Sequence, residues 1–397
     1  MVEVIDKKNL EPIVKDYRYP NNSQFTHTFQ SLQDSGFHMS DLRSDDICPV
    51  GIWPDRRGPA LVSPMQLNFI DDGLLLTWAI HHTVSDAQTL NHLCRLLAQE
   101  CRRGQGLDVP SPPFIMGNRP DTSALKQVRY RLSGELSQHP EYFQFGQPTI
   151  GPPDIVFKET RGGIFSFTRK SLQMLKMDCF RPGKSESEVD YISTNDAMLA
   201  LIWTSIMKER FADNLDDESI STLGFALNGR KRSSAGLSQD CTGCFLVVAQ
   251  VSLPVQTLLG LGNLQAAAGK IRRAVNEANY SFDGCLTDEI MAVASQLRDF
   301  SMVAPTILLG LDKSSVFVTS WADMDVYSLD WGAALGGTTK ALRVVGDGIL
   351  HGAHAITESL PHGGKEIFLA VEDTCLRKLM TNAIFMKYAD TKLRRFN

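Results

Sequence analysis

The sequence has no excess of positive charge and no long run of uninterrupted apolar residues. Its 40 Lys and Arg residues are balanced by 45 Asp and Glu residues, which leaves a net charge of -5. The chain therefore has no electrostatic footprint for nucleic acid or an anionic membrane surface. The longest uncharged stretch, residues 241–269, is interrupted by polar residues and Pro254 before it reaches bilayer-spanning length. We therefore predict no nucleic-acid partner and no membrane partner.

Phosphate-binding loops and a cysteine framework are also missing. Neither GxGxxG nor GxxxxGK[ST] occurs, which argues against a dinucleotide or P-loop site. The eight cysteines are scattered, and Cys241 and Cys244 form a CxxC without the further ligands of a zinc site. The N-terminus is charged throughout and has no signal-peptide core. We expect reduced thiols, no bound metal, a cytoplasmic location and a monomer.

Hydrophobic patterning predicts a histidine between a strand and a helix. Residues 65–69 alternate apolar with polar side chains, and residues 71–73 (Asp-Asp-Gly) supply hairpin-turn chemistry. The apolar run 74–80 predicts a strand buried on both faces. His82 follows this strand. A one-faced helix is predicted next, from apolar residues at helical spacing: Leu90, Leu93, Cys94, Leu97 and Cys101.

The rest of the chain mixes strand and helix patterns without a regular repeat. Strands are predicted at residues 164–168, 245–253, 315–321, 342–345 and 367–371. Helices are predicted at 170–179, after an N-cap at Ser193-Thr194, and at 264–279. This mixture favours an α+β fold over a doubly wound Rossmann fold. The polar stretch 181–190 is the best candidate for a crossover. It divides an N-terminal half, 1–182, from a C-terminal half, 183–397.

The strand-to-helix junction carries a pattern suited to acyl transfer. That reaction needs a base near the acceptor hydroxyl and a donor for the oxyanion, and histidine titrates near working pH. His82-xxx-Asp86 is a weak signal by spacing alone, because His354-xxx-Glu358 and His362-xxx-Glu366 are near matches. Its position after a buried strand makes His82 the candidate general base. His81 points to the opposite side of an extended segment, and we expect it to be structural.

Several segments in order resemble one enzyme family. The run QLNFIDDGLLLTWAIHHTVSDAQTL is similar to the His-xxx-Asp box of BAHD-type acyltransferases, and most similar to the fungal secondary-metabolite branch that includes trichothecene O-acetyltransferases. The later matches are the S-T-x-D-A…I-W helix at 193–203, Asn228-Gly229-Arg230, Thr319-Ser320-Trp321, the D-F-G-like Asp330-Trp331-Gly332, and Gly364-Lys365-Glu366 near the end. This ordered set is far more specific than any one motif.

The resemblance implies two chloramphenicol-acetyltransferase-like halves, with mixed sheets flanked by helices and a channel between the halves. Acyl-CoA would be the co-substrate, with no permanently bound cofactor, and the acceptor would be a small alcohol or amine from secondary metabolism. His82 would abstract the acceptor proton. Asp86 would hold the loop through a charged partner, and Asp330 and Gly332 would support the site structurally.

The oxyanion donor and the CoA contacts are less defined. The family's second aromatic falls on Ala333, so the candidate oxyanion or channel residues are Thr319, Ser320 and Trp331, unless backbone N–H groups alone bind the oxyanion. The basic cluster Arg230, Lys231 and Arg232 offers phosphate contacts for CoA, although such clusters are more often solvated.

Two other functions fit part of the pattern. Condensation on carrier-protein thioesters shares an HHxxxDG motif, but Ala87 replaces its glycine here. A shortened relative that only binds a metabolite or a partner is also compatible, because family members carry more chain before the His box than the 81 residues found here. Residues 17–46 look polar and offer little to a core, so we expect the N-terminal half to be incomplete.

This expectation predicts that a chain extended upstream by the missing elements has a higher soluble yield and faster acyl-CoA turnover than the present one. The physical reason is that an uncovered sheet edge or apolar face promotes aggregation. Parallel expression of both chains tests it. Equal yield and equal turnover would contradict it.

Overall fold

The computed structural model describes residues 11–19, 25–51, 61–109, 135–144, 160–180, 189–211, 219–234, 236–279, 286–297, 303–311, 313–345 and 351–390. The chain divides into two compact units. The first combines Met1–Pro113 with Asp325–Ile349, and the second combines Phe114–Met324 with Leu350–Asn397. This partition does not coincide with the boundary predicted after residue 182, which stays a prediction.

The first unit contains a small sheet and its helices. Its elements are β1 (Ile13–Asp16), α1 (Phe29–Asp34), α2 (Ser44–Ile47), β2 (Met65–Ile70), β3 (Gly73–Trp78) and α3 (Ala87–Gly104). β1 lies parallel to β2, and β2 lies antiparallel to β3. Residues 17–46, expected to offer little to a core, in fact supply most of one. The buried members of this core are Phe25, Leu32, Phe37, Leu42, Ile47 and Ile70.

The predicted hairpin β2–β3 and its Asp-Asp-Gly turn are confirmed. The left-handed turn residue is Asp72 (φ 60°), whereas Gly73 is needed for space, because a Cβ there would collide with the Phe29 ring. The prediction that β3 is buried on both faces is wrong. All six of its residues are half-buried, because β3 lies at the edge of the three-stranded sheet formed by the described residues.

The prediction of a strand at residues 342–345 is also wrong, because this segment is irregular. Hydrogen bonds from side chains hold this segment in place of backbone pairing with a neighbouring strand. The Tyr327 hydroxyl accepts the Leu342 N–H at 3.0 Å. The Arg343 guanidinium donates to the carbonyls of Phe37 and Gly36, at 2.9 Å each.

The second unit is built on a large mixed sheet. Its elements are β4 (Tyr142–Gln144), β5 (Thr160–Phe167), α4 (Arg169–Cys179), α5 (Thr194–Phe211), β6 (Ile220–Asn228), β7 (Leu246–Pro254), α6 (Val255–Leu259), α7 (Asn263–Glu277), α8 (Leu286–Gln296), β8 (Val303–Pro305), β9 (Ser315–Ser320), β10 (Ala353–Ile356), β11 (Lys365–Glu372), α9 (Asp373–Leu379), α10 (Ala383–Met386) and β12 (Ala389–Asp390). Among the described residues, seven strands pair in the order β12-β5-β11-β10-β9-β6-β7. β9 is parallel to β6 and β10, while the other pairs are antiparallel. The predicted α+β class with mixed sheets is confirmed.

Helix α5 forms the centre of this unit. Its residues from Asp196 to Met207 are all buried, as expected for a helix that is apolar on every side. The predicted cap at Ser193 is confirmed: Ser193 Oγ accepts the Asp196 N–H at 3.1 Å, and Asp196 Oδ2 accepts the Ser193 N–H at 2.7 Å. Within the described ranges, no helix combines the length and apolarity needed to cross a bilayer.

A buried ion pair joins α5 to α7. The Arg272 Nε donates to Asp196 Oδ2 at 2.8 Å, and the guanidinium carbon lies 4.6 Å from the centre of the Tyr191 ring. Asp196 is 1% exposed and Arg272 is 7% exposed. The pair therefore has almost no access to water, and each partner depends on the other for its solvation.

Replacing Asp196 by alanine should lower the free energy of unfolding by about 3–5 kcal/mol, because Arg272 would remain buried without its counter-charge. Urea denaturation measures this loss. The control is Arg377→Ala, which removes an ion pair with Asp373 at the surface and should hardly change stability. Equal effects of the two substitutions would contradict the predicted role of the buried pair.

Candidate active site

His82 lies in the short loop between β3 and α3. The Val84 N–H donates to the His81 carbonyl at 3.0 Å and closes a turn around it. The His82 side chain is exposed, as a group that exchanges protons with a substrate must be. The sequence therefore placed the candidate base correctly between a strand and a helix, although the strand is half-buried.

The neighbouring His81 is bound within the same turn. Its Nδ1 accepts the Thr83 N–H at 3.3 Å and lies 2.8 Å from the Thr83 hydroxyl. Its backbone N–H donates to the Val62 carbonyl at 2.8 Å. These contacts support the structural role expected for His81.

His354, the histidine of a near-match motif, lies in the interior on β10. Its Nδ1 accepts the Ala370 N–H at 3.1 Å. Burial lowers the pKa of His354 to about 3. A histidine that is buried in the core and uncharged at neutral pH cannot exchange protons with a substrate, so His354 is not a candidate base.

Asp86 caps the helix that follows the His82 loop. Its Oδ1 accepts the Thr89 N–H at 2.9 Å, while its backbone is extended (φ -124°). An N-cap oxygen satisfies one of the N–H groups that the first helical turn leaves unpaired. Asp86, four residues after His82, therefore caps the start of α3 at Ala87. The charged partner predicted for Asp86 stays a prediction.

Helix α3 contacts the segment 325–334 through one polar face, which we call the polar stripe. Asn91 and Arg95 bind Asp325. The Asn91 Oδ1 accepts the Asp325 N–H at 3.1 Å, and the Arg95 guanidinium contacts both carboxylate oxygens at 2.9–3.0 Å. The members of the polar stripe are Asn91, Arg95, Arg102 and Gln105.

The other end of the polar stripe holds the D-W-G segment. Arg102 forms an ion pair with Asp330. Gln105 donates to the Trp331 carbonyl at 2.8 Å and accepts the Ala334 N–H at 3.0 Å. Gly332 has φ 84°, and a Cβ there would collide with the Gln105 side chain. This geometry supports the structural roles predicted for Asp330 and Gly332.

The polar stripe is not among the features predicted from the sequence, although a signal for it is present. Its members recur at i, i+4, i+11 and i+14, which is helical spacing for one face. The apolar side chains from which this helix is predicted, from Leu90 to Cys101, are only half-buried. The side chains of α3 that are buried include Asn91 and His92.

The candidate oxyanion donors have different surroundings. The Trp331 indole N–H donates to Thr339 Oγ1 at 3.0 Å, so this bond would have to break before the indole could bind an oxyanion. Thr319 and Ser320 belong to β9 in the second unit, and Ser320 Oγ donates to Asn195 Oδ1 at 2.8 Å. The roles of these three residues stay predictions.

The geometry of Arg230 does not support a role in binding CoA. Its side chain is buried, and the guanidinium donates to the carbonyls of Cys241 and Gly243 at 2.7 and 2.8 Å. The guanidinium carbon also lies 4.8 Å from the centre of the Phe245 ring. An interior guanidinium engaged in this way cannot reach a phosphate, so we assign Arg230 to holding the loop 241–245.

The other two basic residues remain near the surface. Lys231 Nζ lies 2.5 Å from Asp323 Oδ2, with about half of its side chain exposed, and Arg232 donates to the Asn228 carbonyl at 2.9 Å. Their contact with CoA stays a prediction. Across the part of the chain that the structure describes, no three or more His, Cys, Asp or Glu side chains are grouped to hold a metal ion.

Comparison with known proteins gives the class. Residues 62–336 match the model of the Transferase family, and the chain belongs to this family. Residues 2–101 match the trichothecene 3-O-acetyltransferase-like N-terminal domain. These matches confirm the family predicted from the sequence and its enzyme class, an acyl-CoA-dependent O-acyltransferase.

Individual relatives are distant. The chain is 25% identical to an eremophilane O-acetyltransferase of Penicillium rubens, over 82% of this chain and 71% of the relative. It is 24% identical to a protein of Penicillium crustosum named enoyl-CoA isomerase/hydratase, covering 91% of this chain but only 41% of that protein. The crystal structure of F. graminearum TRI101 with coenzyme A and deoxynivalenol shares the fold, with a TM-score of 0.76 and 21% identity over 95% of this chain and 81% of that one.

Substitutions of Asp86 can separate the observed cap from the predicted charge pair. Asp86→Ala should lower the free energy of unfolding by about 0.5–2 kcal/mol through loss of the cap. Asp86→Asn keeps a capping oxygen and should retain most of the stability. Thermal unfolding of both variants measures this. If Asp86→Asn loses as much as Asp86→Ala, the charge of Asp86 matters more than its cap.

Proposed function

We propose that this chain transfers an acyl group from acyl-CoA to a hydroxyl or amine of a small secondary metabolite, with His82 as the general base. The observation that carries the proposal is the exposed His82 imidazole, presented between β3 and the capped start of α3 in a chain of the Transferase family. The names of several relatives, O-acetyltransferases that include the trichothecene 3-O-acetyltransferase of Fusarium sporotrichioides, support a small-molecule acceptor.

In the proposed reaction, His82 takes the proton from the acceptor hydroxyl as its oxygen attacks the thioester carbonyl. The carbonyl oxygen becomes an oxyanion, which collapses, breaks the C–S bond and releases CoA. The protonated imidazole returns its proton to the leaving sulfur. His82 thus ends the cycle unchanged, and no permanently bound cofactor is needed.

The oxyanion needs hydrogen-bond donors in place before the charge develops. The donors proposed from the sequence are Thr319, Ser320 and Trp331; the Ser320 hydroxyl would first have to leave Asn195, and the Trp331 indole would have to leave Thr339. The proposal retains a monomer in the cytoplasm, as predicted from the sequence. The acceptor and the acyl chain are left open.

His82→Gln should lower kcat about 10²- to 10⁴-fold, because it removes the base but keeps a polar side chain of similar size. The assay follows CoA thiol release from acetyl-CoA in the presence of a panel of small alcohols, with the acylated product identified by mass spectrometry. His81→Gln is the matched control, because His81 is bound within its own turn, and it should retain most of the activity.

Near wild-type kcat in His82→Gln would exclude His82 as the base. A folded wild-type chain that binds acyl-CoA or an alcohol without any transfer would favour the non-catalytic relative. Transfer only from a carrier-protein thioester would favour the condensation-type enzyme.

A further inference from the structure

The part of the polar stripe nearest to His82 is a three-point attachment. Asn91 and Arg95 lie five and nine residues beyond Asp86, or about 8 and 14 Å along the helix axis. Both bind Asp325. The Asn91 Oδ1 accepts the Asp325 backbone N–H at 3.1 Å, and the Arg95 guanidinium contacts both Asp325 carboxylate oxygens at 2.9–3.0 Å. A helical turn held at two levels by one residue can neither rotate nor slide freely.

The exposure of the ion pair indicates that this contact orients α3 more than it stabilises the fold. The side chains of Arg95 and Asp325 are 37% and 38% exposed, and an ion pair so open to water adds little to the free energy of unfolding. However, because the guanidinium contacts both carboxylate oxygens, the pair fixes the orientation of Arg95 relative to Asp325. Asn91 is completely buried, so the Asp325 N–H has a single well-defined acceptor.

We propose that Asn91, Arg95 and Asp325 are positioning residues for His82, acting through the first turns of α3. This inference rests on the proposed function. The His82 loop is continuous with the capped helix start, so a rotation of α3 displaces the imidazole. A displacement of about 1 Å between reacting groups can cost about a hundredfold in rate.

The test uses Arg95→Met, Asp325→Asn and the double variant. Each single variant should lower kcat by about fivefold or more, with the KM for acyl-CoA changed by less than about twofold, because the ground-state contacts with substrate are kept. The double variant should be no slower than the slower single variant, since both remove the same contact. The control is Arg103→Met, which removes an exposed ion pair with Glu100 on the same helix and should leave kcat unchanged.

A second measurement does not depend on activity. The imidazole Cε1–H NMR signal of His82, assigned by its loss in His82→Gln, should shift or broaden in Arg95→Met and Asp325→Asn but not in Arg103→Met. Signals that stay in place in both variants overturn the positioning role, whatever the activity. The positioning role is also overturned if Arg95→Met and Asp325→Asn lower the melting temperature but keep the wild-type kcat. If the wild type transfers no acyl group, the proposed function fails, and the His82 signal still decides the positioning role.

Discussion

The contact between α3 and the segment 325–334 is the constraint on which the candidate site depends. Asp86 fixes where the helix begins, and the polar stripe fixes how the helix is turned. The same contact shapes the D-W-G segment, because Gln105 bonds both sides of the turn at Gly332. The candidate base and the D-W-G segment, which are 248 positions apart in the sequence (82 and 330), thus both adjoin a single helix.

Most charged residues of the recognisable motifs serve the scaffold. A buried charge is costly unless a partner replaces its water, so a charge that folding places inside acquires partners. Asp196 pairs with Arg272, and Arg230 binds backbone carbonyls. Asp330 also pairs with Arg102, although its side chain is about half exposed. In contrast, the His82 imidazole is exposed. A motif can therefore identify a family through residues whose observed contacts belong to the scaffold.

Features governed by neighbours within a few residues could be predicted from the sequence. The hairpin β2–β3, a helix after the His82 loop and the cap at Ser193 all depend on local spacing. The burial of Arg230, the half-exposure of β3 and the partners of Asp325 could not be predicted in this way. They depend on which distant segments meet, and no local pattern carries that information.

The division of the first unit into two stretches of chain also has a consequence for synthesis. The polar stripe is made early, but its partners from Asp325 to Ala334 follow more than 200 residues later. Contacts between such remote positions require closure of a long loop, which slows folding. During translation, α3 therefore lacks these stabilising contacts until most of the second unit has been synthesised.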